Sequence, residues 1–298
     1  MLIWEKVIDL EKKKLILGTA NLESKYGVAQ RNYLEKEEFR KILKNILGDA
    51  NVYIDTAETY GSAEEIIGEL APQQLSGRVI TKIVLTEEDT ESTLIKRVET
   101  ALIRLKQSEL ASLLIHNPEY LSLTNGRSLS MGLQEILSMG LVRHVGISCY
   151  NQDEILASKH QFPFLTMFQL HENVVNRKNY NNKNLKSLKD EGNLIYVRSI
   201  FLQGLLLLDP KDIPTQLKDL VPVLEEVNDY CKSRNMSKLK YCLDYAESID
   251  WASGIIVGVK SFSEFKAIED ERKSNIKCKE FTTKCLSDFD SDPRNWNM

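Results

Sequence analysis

The chain has 298 residues, of which 42% are hydrophobic and 28% charged. That length suits two ordinary domains or one α/β barrel of about 250 residues, and the composition is that of a soluble globular protein with a sizeable core. The formal net charge of −4 gives no reason to expect nucleic acid or an anionic membrane as a partner.

Five cysteines, Cys149, Cys231, Cys242, Cys278 and Cys285, are scattered with no CxxC spacing, which points to reduced thiols. The start, Met1-Leu2-Ile3-Trp4-Glu5-Lys6, lacks the pattern of a signal peptide. Apolar runs such as Leu205 to Leu208 are far too short to span a bilayer. A cytoplasmic protein without a membrane partner is the expectation.

In chain order, residues 1–14 read as a short hairpin or strand before the main fold. Leu15 to Thr19 is the first clear apolar run, and further runs recur at 52–54, 79–80, 113–115, 144–147, 165–168, 194–197 and 255–257. Each has strand length and ends at or beside a polar residue or glycine. Between them, Ser62-Ala63-Glu64-Glu65 has the form of a capping box. Residues 88–106 carry Leu94, Ile95, Val98, Leu102 and Leu105 at helical spacing. Helices are also expected over 129–140, from Asn151, over 216–232 and over 237–248, whereas Asn173 to Asn184 reads as an extended loop. Strands alternating with helices predict a single (β/α)8 TIM barrel over 1–298 with long loops at its C-terminal face. An open doubly wound sheet is the rival, but no GxGxxG accompanies the strands.

Three strands deliver chemistry to one end. Val52-Tyr53-Ile54 ends on Asp55, with Tyr60 on the loop beyond; Val79-Ile80-Thr81 ends on Lys82; Leu113-Leu114-Ile115 ends on His116. On successive strands of a parallel barrel these ends converge at the face where such barrels work. A free tyrosine holds its proton with a pKa of about 10, and an adjacent ammonium favours the phenolate. Lys82 supplies that ammonium, Asp55 balances it, and His116 can orient a carbonyl oxygen beside Tyr60. The set suits protonation of the oxyanion formed when hydride reaches a carbonyl carbon.

Read together with Gly18-Thr19, Val145-Gly146-Ile147-Ser148, Gln169, Arg198-Ser199, Val257-Gly258 and Lys260-Ser261, the chain resembles the aldo-keto reductase superfamily over nearly its whole length. The resemblance implies a tetrad of Asp55, Tyr60, Lys82 and His116. It also implies a nicotinamide cofactor across the barrel mouth, NADP (NADPH) rather than NAD. Cofactor contacts are expected from Gly18, Thr19, Ser148, Cys149, Gln169, Arg198, Ser199, Phe201, Gln203, Gly204, Gly258, Lys260, Ser261 and Glu264. Ser148 and Gln169 match the positions that hold the carboxamide, while Cys149 stands where many members have Asn. Arg198 matches the position that stacks on the nicotinamide. At the phosphate end Lys260 adds charge to a helix N-terminus, but Glu264 in the first turn opposes an anion. Arg198 to Leu206 and Asp292-Pro293-Arg294-Asn295-Trp296 resemble a bacterial branch found with surface-polysaccharide and activated-sugar genes.

The expected activity is reduction of a small-molecule aldehyde or ketone, possible sugar carbonyls included, by a monomer or homodimer. Tyr26, Tyr120, His171, Asn173 and Phe201 are the substrate-pocket candidates by position. Two alternatives stay open: a cofactor-binding sensor with little turnover, and an alcohol or sugar dehydrogenase running in the oxidative direction. No histidine spacing suits a metal, and His171-Glu172 lacks the second histidine of a zinc-protease helix.

Overall fold

The structure is a computed structural model that describes residues 13–24, 27–28, 33–122, 126–274, 277–287 and 290–296. The hairpin expected over 1–14 falls almost entirely outside these residues, and Tyr26 lies outside them. Eight parallel strands close into one barrel in chain order. They are β1 (Lys14–Gly18), β2 (Val52–Asp55), β3 (Val79–Ile83), β4 (Leu110–Ile115), β5 (Val142–Cys149), β6 (Met167–His171), β7 (Leu194–Arg198) and β8 (Gly254–Gly258). Closure is direct: Leu15 of β1 lies beside Val52 of β2 on one side and Ile255 of β8 on the other. The protein is a single-domain (β/α)8 barrel, and the rival open sheet is excluded.

The helices are α1 (Lys36–Ile46), α2 (Ala63–Leu70), α3 (Glu91–Leu105), α4 (Gly126–Ser138), α5 (Gln152–Gln161), α6 (Lys183–Asp190), α7 (Val221–Ser233), α8 (Lys238–Ser248) and α9 (Phe262–Lys273). Among the described residues no helix is long and apolar enough to cross a membrane. Three sequence expectations shift. Helix α1 adds an element at a place where none was expected, burying Phe39, Ile42, Leu43 and Ile46. The polar loop after β6 ends early, because Asn182 accepts hydrogen bonds from the Asn184 and Leu185 amides and starts α6. The capping box at Ser62 does not form: its backbone (φ −91, ψ 16) is not extended and its side chain caps nothing. A hydroxyl reaches its helix amides only from an extended N-cap. Thr90, which is extended, makes the reciprocal pair with Thr93 instead.

Two apolar layers form around the strands. The larger one fills the space between barrel and helices. The smaller fills the barrel itself with Ile16, Ile80, Ala111, Leu114, Met167 and Tyr196, and Tyr53 and Ile256 pack against it. Side chains two apart on a strand share a face. The residues two beyond this inner set are therefore the ones aimed into the mouth: Gly18, Asp55, Lys82, His116, Gln169, Arg198 and Gly258. With Ser148, two beyond Gly146, all of them line one cavity of about 610 Å³.

Gly146 is required by close approach of β5 and β6. A Cβ added there would stand 1.5 Å from the Met167 carbonyl oxygen. Gly146→Ala must push the two strands apart, and a stability loss of about 3 kcal/mol is expected in urea unfolding.

Candidate active site

Asp55 anchors the mouth. Thr19, the residue after β1, holds its backbone carbonyl through the amide at 2.9 Å and the hydroxyl at 3.0 Å. One carboxylate oxygen accepts from Lys82 Nζ at 2.6 Å, and the other accepts from Gln169 Nε2 at 2.5 Å. Lys82 also donates to the Thr56 carbonyl at 2.8 Å. The ion pair is buried, with 2% of the Lys82 side chain and 6% of that of Asp55 exposed. Burial alone disfavours the ammonium, but attraction to Asp55 and Tyr60 outweighs it and keeps the Lys82 pKa raised.

Tyr60 arrives on the β2–α2 loop. Thr56 and Glu58 donate from their amides to Ile80 and Lys82 of β3. The Glu58 carboxylate accepts from the Val84 amide at 2.8 Å and pairs with Arg97, which also holds Asp89 at 2.8 Å. So fixed, the loop places the Tyr60 ring centroid 5.1 Å from Lys82 Nζ and 6.3 Å from His116, the two rings edge to face. The four side chains proposed from sequence lie together at one end of the cavity.

The residues expected around a cofactor continue along the same wall. Gly18, Ser148, Gln169, Arg198, Ser199, Phe201, Gln203, Gly204, Gly258, Lys260 and Glu264 line the cavity. Gln169 Oε1 is buried without a hydrogen-bond partner. Three residues stand behind the wall. Thr19 braces Asp55. The Cys149 thiol turns away to the Gln169 carbonyl, and burial pushes its pKa up. Ser261 caps α9 by accepting from the Glu264 amide. At that helix start the Glu264 carboxylate accepts from the Lys260 amide at 2.7 Å, and Glu38 of α1 accepts from the Phe262 amide at 2.8 Å. Two carboxylates thus already hold two of the amides that an anion would use.

The substrate candidates are dispersed. Phe201 lines the cavity. Tyr120 packs against the outer core. His171 is buried with its ring stacked on Tyr150 at 5.6 Å, and the Asn173 side chain accepts from the Val175 amide. Neither reaches the cavity wall; His171 supports Tyr150, which does. Several lining residues carried no strand-end signal: Asn21, Tyr150, Leu207, Leu208, Leu239 and Arg294. Tyr150 directly follows β5 and could have been read as a loop aromatic. Arg294 belonged to a branch motif, and nothing local pointed it toward the barrel.

Both histidines near the mouth are neutral at pH 7. Burial, then the charges of Lys82 and Arg198, lower His116 to about 4. Burial and Arg198 lower His171 to about 3. An unfolded chain protonates these groups near pH 6.5, so it takes up protons that the folded chain refuses. Their contribution to stability is complete above about pH 6.5 and lost as the pH falls toward 4 for His116 and toward 3 for His171. The thermal midpoint is expected to drop across that interval, and less steeply in His171→Gln.

Residues 14–283 match the sequence profile of the Aldo/keto reductase family. Among solved structures, an aldo-keto reductase from Bacillus halodurans in its holo form superposes with a TM-score of 0.67 at 16% identity, covering 91% of this chain and 90% of that one. A Pseudomonas aeruginosa protein assigned to the aldo-keto reductases superposes with a TM-score of 0.60, also at 16% identity, over 88% of this chain and 90% of that one. These likenesses speak to the fold. Comparison with curated protein sequences gives no match.

Proposed function

The chain belongs to the aldo/keto reductase family of oxidoreductases, and on that premise we propose that it reduces an aldehyde or ketone with a reduced nicotinamide cofactor, Tyr60 giving the proton. The observation that carries this reading is the meeting of Tyr60, His116 and the Lys82–Asp55 pair at one end of a single cavity. A nicotinamide fits the neighbouring wall: the unpartnered Gln169 Oε1 can accept from a primary amide, and Ser148 lies beside it in register. When bound, that group supplies the hydride.

The protein's own residues do the rest. His116, neutral at working pH, donates a hydrogen bond to the substrate oxygen and orients it. Tyr60 protonates that oxygen as negative charge builds on it. The Lys82 ammonium stabilises the phenolate left behind, and Asp55 keeps the ammonium charged and aimed. A sugar or sugar-derived carbonyl is the proposed substrate class, on the branch resemblance of Arg198 to Leu206 and Asp292 to Trp296. Tyr60→Phe is expected to lower kcat by roughly 10²–10⁴-fold while the fluorescence of bound reduced cofactor still reports binding. Turnover close to wild type in that variant would sink the assignment.

For the dinucleotide we propose NADPH, with its adenosine phosphate near Lys260 at the start of α9. Lys260 and Glu264 share the cavity wall there. The carboxylates of Glu264 and Glu38 oppose the phosphate, so the preference over NADH is expected to be small. Glu264→Gln should raise the ratio of NADPH to NADH affinity by roughly two- to fivefold, measured as dissociation constants by fluorescence titration.

A further inference from the structure

The C-terminal segment brings a second guanidinium to the mouth. Arg294 lies in a single turn, Pro293–Asn295, and lines the same cavity as the tetrad. It stands beyond residues 14–283, which carry the family match. Its guanidinium lies 3.5 Å from the centroid of the Tyr150 ring, and that of Arg198 lies 4.2 Å from the same centroid. Two cations thus share one aromatic ring. The ring's electron-rich face offsets part of their charge, but the two repel one another.

Carboxylates balance them unequally. Asp292 accepts from Arg294 Nε at 3.0 Å and Nη2 at 2.6 Å. Among the described residues Arg198 donates only to neutral oxygens, the Cys149 carbonyl at 3.0 Å and the Ser199 hydroxyl at 3.3 Å. Its Nε is buried without a partner, and no carboxylate forms an ion pair with it among the described residues. Asp55 is already held by Lys82 and Gln169. Glu154 faces its own helix start, accepting from the Tyr150 amide and from Asn151. A half-buried cation with only neutral acceptors is costly, and a planar guanidinium is matched by a carboxylate or phosphate.

We propose that the substrate is an anionic carbonyl compound. Its carboxylate or phosphate is held by Arg294 beside Tyr150, and its carbonyl reaches Tyr60 and His116. The uncompensated charge of Arg198 behind that ring adds attraction, while the Arg198 guanidinium plane stays with the cofactor. This rests on the reductase reading and adds the charge of the substrate to it. Arg294 is then a specificity-determining residue contributed by the C-terminal segment.

The test uses the full chain with NADPH and two matched pairs of probes. Succinate semialdehyde is compared with butanal, and glyceraldehyde phosphate with glyceraldehyde. At least one anionic probe is expected to exceed its neutral partner in kcat/KM by roughly ten- to a hundredfold, mainly through KM. The pair showing the larger ratio tells a carboxylate substrate from a phosphorylated one. In Arg294→Gln that ratio should collapse toward unity, and Arg294→Lys should recover part of it. Equal use of charged and neutral probes by the native chain overturns the proposal. So does an Arg294→Gln variant that loses NADPH affinity but keeps the ratio, since the guanidinium would then serve the cofactor. If no probe turns over, the reductase reading fails. Calorimetric binding of succinate semialdehyde against butanal to the NADPH complex then decides the anion claim separately.

Discussion

An ammonium buried to 2% exposure is the constraint around which the mouth of this barrel is arranged. Removing such a charge from water costs several kcal/mol, and Lys82 remains charged only because fixed partners replace the solvent. Asp55 and the Thr56 carbonyl accept hydrogen bonds from two of its N–H groups. Asp55 must itself be held, and it is gripped from both sides of the barrel. Thr19, just after β1, fixes its backbone and Gln169 on β6 fixes its second oxygen. Three strands and a loop are thereby tied to a single charge, and Tyr60 is placed against that charge instead of against water.

The neighbouring groups respond to the same field. Lys82 and Arg198 both act with burial to keep His116 neutral, which makes it a hydrogen-bond donor instead of a second acid. The proposed division of labour, with a phenol that yields a proton and an imidazole that positions an oxygen, rests on where these two cations sit. Lys82 and Arg294 are each paired with a carboxylate, and Arg198 is left as the positive charge at the mouth that the proposed oxyanion and anionic substrate would meet.

The strand ends were legible because a barrel strand has a period of two. An apolar interior residue followed two positions later by a polar one marks the last inward step before solvent, as in Tyr53 and Asp55, Ile80 and Lys82, Leu114 and His116, Met167 and Gln169. Caps were less legible. Ser62 and Thr90 both precede helices, yet only Thr90 has the extended backbone that lets its hydroxyl cap, and the local sequence carries no record of that angle. His171 and Asn173 show the reverse problem. Polar residues after a strand resemble a pocket wall, but here they are turned into the loop, where Asn173 closes on the Val175 amide and His171 backs Tyr150.

The succession of apolar runs and the polar residues closing them were enough, by themselves, to determine alternating strands and helices, to favour a parallel barrel over an open sheet, and to order Asp55, Tyr60, Lys82 and His116 along it, because these depend on short-range periodicity. Which distant groups meet was decided only by closure of the ring. Gln169 reaches Asp55 across a separation of 114 residues, and Glu38 caps α9 across 224. Arg294 and Arg198 share Tyr150 because the chain end folds back over the mouth. Such contacts carry no local signature, since the free energy that pays for them comes from burying surfaces that are neighbours only in three dimensions.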